Sequence, residues 1–173
     1  MLIFGGCKDK SNELVNDSGI IKYRYLFSDG AGYDPQYLHY VYLEGYTMKK
    51  DDAVRSLLEF SYCYMQNIGA KHGKTPIGGI SFINSLKPMN NFLWNHDNIN
   101  WAGIEKHTLL SIFFEVGDSN FKVKKIKYYN KNKSFIISSD EIEPDTFSEI
   151  DCVSRIKKQY IHIDCPKGYH CLN

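Results

Sequence analysis

One segment of this chain spaces its apolar residues differently from all the others, and that difference restricts the folds open to it. Val54, Leu57, Leu58, Ser61, Met65 and Ile68 recur at the 3.6-residue period of a helix. Asp51 and Asp52 stand where the first turn of a helix favours negative charge, and Gly69 is placed to end it. On either side of this segment apolar residues alternate with polar ones. Ile21, Tyr23, Tyr25 and Phe27 share one face of an expected strand, with Lys22 and Arg24 on the other, and Leu110, Ile112, Phe114 and Val116 repeat the pattern. Strands in hairpin order with one strong helix bury a sheet face against that helix. The expected class is therefore α+β, a mostly antiparallel sheet packed against one long helix.

The remaining segments fill in that scheme. Ser28 to Gln36 contains Asp29-Gly30 and Asp34-Pro35, which are turn residues, so Tyr37 to Gly45 is expected to return as the second strand of a hairpin. Ile80 to Ile83 reads as a short strand, and residues 84 to 106 read as a long ordered loop carrying Trp94 and Trp101. After the turn Gly117-Asp118-Ser119-Asn120, apolar positions switch parity along Phe121 to Tyr129, which predicts a bulge at Lys124-Lys125. Phe135 to Ile137 and Tyr160 to Ile163 are the last expected strands. Nothing divides the chain after residue 18, so residues 1–18 are read as an anchor and tether and residues 19–173 as one globular domain.

Size and charge exclude several partner classes. At 173 residues and 43% apolar composition the chain can bury a core without needing a metal or a disulfide. The 21 Lys and Arg nearly balance the 20 Asp and Glu, so no global field favours nucleic acid or a membrane surface. The lysine-rich stretch Lys122 to Lys133 is followed by the acidic stretch Asp140 to Asp151, and lysines on a strand commonly protect a sheet edge. No nucleic-acid partner is expected.

The first residues bear on location. Met1-Leu2-Ile3-Phe4-Gly5-Gly6-Cys7 runs from apolar to small to cysteine, then gives way to the polar run Lys8 to Glu13. Gly5, Gly6 and Cys7 resemble the lipobox of bacterial lipoproteins, although Phe4 stands where leucine is usual. The resemblance covers about ten residues. It implies an acylated Cys7, a membrane contact through the lipid alone, and a domain that is periplasmic or surface-exposed. The alternative is a cytosolic chain with Cys7 a free thiol. Setting Cys7 aside leaves four cysteines. Cys152, Cys165 and Cys171 cluster near the end of the sequence, where a Cys165–Cys171 or Cys152–Cys171 bridge suits an oxidising compartment. Cys63, inside the helical segment, is expected to be a buried inert thiol.

Several near-motifs fail on their mechanics. Gly69 to Thr75 ends in Gly-Lys-Thr but is one residue short of a P-loop and follows a helix, so no fresh helix N-terminus faces a phosphate. Gly79-Ile80-Ser81-Phe82-Ile83 lacks the second glycine of a nucleophile elbow. His162, Asp164, Cys165, His170 and Cys171 match no paired zinc-ligand spacing, so no metal site or cofactor is assigned. No catalytic set is assigned either. Recognition is assigned to the loop Trp94 to Trp101, with His96 between the indoles, and to the tyrosine-rich hairpin with Tyr40 and Tyr42. The expected function is thus a non-catalytic envelope lipoprotein that binds a protein or glycan partner, of inhibitor or immunity type. The alternatives are an envelope-polymer hydrolase drawing on His96, Asp97, Glu44 or Glu105, and a C-terminal metal binder.

Overall fold

The computed structural model describes residues 19–30, 37–46, 50–72, 77–89, 100–116, 121–130, 133–138, 150–167 and 169. Cys7, Trp94, His96 and Cys171 lie outside them. The described elements are strands β1 (Ile21–Gly30), β2 (Tyr37–Leu43), β3 (Ile77–Ile83), β4 (Thr108–Val116), β5 (Phe121–Asn130), β6 (Lys133–Ser138) and β7 (Tyr160–His162), with helices α1 (Lys50–His72), α2 (Trp101–His107) and α3 (Cys152–Lys158). The seven strands form a single sheet in the order β6-β5-β4-β3-β2-β1-β7. The protein is α+β, as the alternating and helical periods require.

The sheet is mixed. β1–β2, β3–β4, β4–β5 and β5–β6 pair antiparallel, but β2–β3 and β1–β7 pair parallel. The helix explains the first parallel pair. A 23-residue helix is about 34 Å long, enough to carry the chain back along the sheet, so that β3 enters from the same end as β2. Gly69 does not end this helix, which continues to His72.

Two bulges decide which residues face which way. On β5, Phe113 faces Lys125 and Phe114 faces Val123, so Lys124 is the extra residue, where the parity switch placed it. On β1 the register also slips: Tyr25 faces Val41 and Phe27 faces Tyr40, with Leu26 extra. That slip turns Phe27 away from the face of Ile21 and Tyr23, which a simple alternation had assigned to it.

Each face of the sheet has its own apolar cluster. On the first, Leu57, Phe60, Cys63 and Tyr64 of α1 pack on Ile21, Val41, Leu43, Ile80, Phe82, Leu110, Ile112, Phe114 and Ile126. Fully burying side chains of this kind stabilises by about 1.5–3 kcal/mol each. On the second, Leu26, Phe27, Tyr40 and Ile83 meet Leu86 and Ile104 of α2. The stretch read as a loop between residues 84 and 106 thus runs into a helix, the seven-residue α2, too short to show a clear period.

Cys63 is not a free thiol. It is bonded to Cys152 at the start of α3, with Cα atoms 5.1 Å apart, and this excludes a Cys152–Cys171 bridge. The bond closes 89 residues of chain, a constraint worth about 4–5 kcal/mol in loop entropy of the unfolded state. Beside it Arg155 of α3 forms a short ion pair with Glu59 of α1, and Arg55 reaches the same carboxylate at 3.2 Å. Cys165 is also disulfide-bonded, with a partner outside the described residues.

Aromatic side chains fill the gap between α1 and β1. The rings of Tyr23 and Phe60 meet edge-on at 4.9 Å, Phe60 and Tyr64 stack at 5.6 Å, and the Tyr64 hydroxyl lies 3.3 Å from Nδ1 of His39. Burial raises the Tyr23, Tyr64 and Tyr160 hydroxyls above their ordinary range, and pushes Tyr46 up to about 12. The folded state therefore holds protons that the unfolded chain releases near pH ~10. We expect stability to be intact below about pH 10 and to fall as pH rises from there to about 12. Urea unfolding across this range, with tyrosinate absorbance recorded on both states, checks it. A flat stability profile would contradict the burial.

Candidate functional site

The second face of the sheet carries an in-register row of side chains that crosses five strands. Phe27 of β1 faces Tyr40 of β2, Tyr40 faces Ser81 of β3, Ser81 faces Ser111 of β4, and Ser111 faces Lys127 of β5. The row is aromatic at one end, hydroxylic in the middle and basic at the other. Phe27 and Tyr40 stack with ring centroids 4.5 Å apart and planes 13° from parallel.

Helix α2 lies over this row, held at both ends and in the middle. Asn100 caps it by accepting a hydrogen bond from the Gly103 N–H at 2.9 Å. At the other end the Asn84 N–H donates to the His107 carbonyl at 3.1 Å, and the Thr108 hydroxyl donates to the Ile104 carbonyl at 2.8 Å. Ile104 is buried among Ile83, Leu86 and the aromatic pair. Glu105 pairs with Lys127 at 3.7 Å; being partly exposed, this pair contributes about 0–1 kcal/mol and serves to orient the helix. Loss of hydration, then the charges of Lys106 and Lys87, lower the pKa of His107.

Trp101 opens α2 directly above the aromatic pair, 6.3 Å from the Phe27 ring and 5.9 Å from Tyr40. It is 40% exposed, so one part of the indole packs on the sheet while the rest meets solvent. Leu38, Tyr42 and Tyr169 border the same cluster, half-buried. Burial, then the Glu44 carboxylate, raise the Tyr42 hydroxyl. Of the residues expected to recognise a partner, Trp101, Tyr40 and Tyr42 therefore come together, with Tyr40 as the buried floor and Trp101 as the exposed element. Trp94 and His96 lie outside the described residues. Phe27 joins the site through the β1 bulge, for which its own sequence carries no sign.

Of the other chemical candidates, Asp97, His170 and Cys171 lie outside the described residues, and several of the described ones are engaged elsewhere. Ser81 and Ser111 are buried and share a hydrogen bond of 2.6 Å, so neither hydroxyl meets solvent as a nucleophile. Glu44, just after β2, pairs with Lys22 of β1 at 3.4 Å, whereas Glu105 belongs to the α2–β5 pair. In the C-terminal set, Cys165 is oxidised, and Nε2 of His162 accepts a hydrogen bond from the Arg24 guanidinium at 3.2 Å. Among the described residues no three His, Cys, Asp or Glu side chains gather to hold a metal ion.

The serine pair yields a quantitative test of how dry this layer is. Ser81→Ala leaves the Ser111 hydroxyl buried without its partner and should destabilise by about 1–3 kcal/mol. The double change to alanine should cost less than the sum of the two single changes in urea unfolding. Additive effects would mean that water reaches the pair.

No family model matches this chain, and no curated protein or solved structure matches it either.

Proposed function

We propose that this chain is the partner-binding domain of a bacterial cell-envelope lipoprotein, anchored through Cys7 and acting without catalysis, in the manner of an inhibitor or immunity-type protein. The observation that carries the proposal is the Cys63–Cys152 bond, joined by a further disulfide at Cys165. Structural disulfides persist in oxidising compartments and are rare in reducing ones. A lipobox-like Gly5-Gly6-Cys7 and a disulfide-bonded domain point independently to the same side of the membrane.

The binding half of the proposal is supported by Trp101. An exposed indole braced from below by a stacked Phe27–Tyr40 pair is a rigid amphipathic contact that loses little conformational freedom on binding. A protein partner fits this surface best, because the bordering Leu38, Tyr42 and Tyr169 extend the apolar area around Trp101.

Expression of the gene in a bacterium, followed by intact mass before and after reduction, tests the location. We expect a lipid adduct on Cys7 and a mass gain from reduced disulfides. An unmodified chain with five free thiols would sink the proposal. Binding is tested separately by placing a photo-crosslinking residue at position 101 in whole cells. We expect a discrete protein adduct there and none from the exposed position 157 on α3; equal labelling at both sites would remove Trp101 from the interface.

A further inference from the structure

The segment from Ile150 to Ile163 is attached to the fold in an unusual way. β7 is three residues long and pairs in parallel with Ile21 to Tyr23 at the end of the sheet. Two further backbone bonds frame it, from the Ile21 N–H to the Gln159 carbonyl at 2.7 Å and from the Ile163 N–H to the Tyr23 carbonyl at 2.9 Å. α3 has seven residues and none is fully buried. Val153 and Ile161 point apolar side chains outward at 67% and 42% exposure, and Tyr160 is the one buried side chain of the segment. Short strands and small helices with so little buried surface open locally at low free energy.

The strongest attachments lie side by side on two helices. Glu59 and Cys63 are four residues apart on α1, and Cys152 and Arg155 three apart on α3, so each pair shares one helix face. The disulfide and the Glu59–Arg155 ion pair therefore form one double clasp between α1 and α3. Cys63 is fully buried, whereas Cys152 is half-buried, so an incoming thiol meets the bond from the α3 side.

We infer that the Cys63–Cys152 bond is a redox latch, whose reduction releases α3 and β7 from the sheet edge while the core between α1 and β2–β5 stays folded. A dithiol reductant supplies the electrons. One of its thiolates attacks the Cys152 sulfur, forming a mixed disulfide and expelling Cys63 as a thiolate, which takes up a proton. The second thiol then displaces Cys152, leaving two protein thiols and an oxidised reductant. Most of the first apolar cluster, from Val41 to Ile126 together with Leu57, Phe60 and Tyr64, belongs to elements outside the released segment. Release leaves β1 as a free strand edge from Ile21 to Tyr23.

Hydrogen exchange followed by mass spectrometry, on the oxidised chain and after dithiothreitol, tests the latch. We expect peptides covering 150–163, and those carrying the Ile21 amide, to exchange at least about tenfold faster after reduction. Peptides from β3 and β4 should change by less than about twofold. Unchanged exchange over 150–163 in a fully reduced chain would overturn the latch, and so would equal loss across β3 and β4. A Cys165→Ser variant isolates the bond concerned. In its oxidised form 150–163 should stay protected until dithiothreitol is added, and early loss would assign the attachment to the other disulfide. Reducing the folded wild-type chain asks the question without a Cys152 variant, which has to fold with its cross-link absent.

Discussion

The packing of one face of α1 across the sheet is the constraint on which the other features depend. Leu57, Phe60 and Tyr64 share a core with strand residues from β1 to β5, and burying them fixes where those strands lie beneath the helix. Because α1 runs 23 residues, it also returns the chain to the end of the sheet where β2 began. The parallel β2–β3 pair follows from that return, and the antiparallel β3–β4–β5–β6 run then extends the sheet to one side. On the other side β1 and β2 form a hairpin, with β7 added at the edge.

The two faces of the sheet carry different chemistry because they are covered differently. Under α1 the layer is mainly apolar and aromatic, closed further by the disulfide to α3. Under α2 the cover is a seven-residue helix held by Asn100, Ile104 and Glu105, which leaves the indole of Trp101 partly in water. The same helix that completes a small second core thus exposes the residue best suited to touch a partner. Ser81 and Ser111 lie beneath it joined by their own hydrogen bond, which offsets part of the cost of placing two polar side chains in the interior.

Much of the fold was legible from side-chain period alone. Alternation marked β1 and β4, the change of period marked α1, and the parity switch marked the extra residue at Lys124. The failures have particular causes. Nothing in Tyr25-Leu26-Phe27 distinguishes a bulged strand from a regular one, because all three side chains are apolar and suit either face. Helices α2 and α3 are seven residues each, too short for periodicity to stand out, although Asn100 and Asp151 are recognisable caps in retrospect. Of the candidate site, Trp101, Tyr40 and Tyr42 were singled out by residue type. That Tyr40 is a floor and not a contact depends on burial, which residue type does not report.

The sequence by itself determined local matters: that α1 is helical and that β1 and β4 are extended, where charges balance, and that a lipobox-like cysteine precedes a cysteine-containing domain. These follow from period, composition and short-range spacing, which act between near neighbours along the chain. Only the tertiary structure decided that Cys63 bonds to Cys152 across 89 residues, that two strand pairs are parallel, and that Phe27 meets Trp101 on the second face. Those facts join residues far apart in sequence. Their physical origin is the burial of α1 against the sheet, which brings distant segments together for reasons that none of them carries alone.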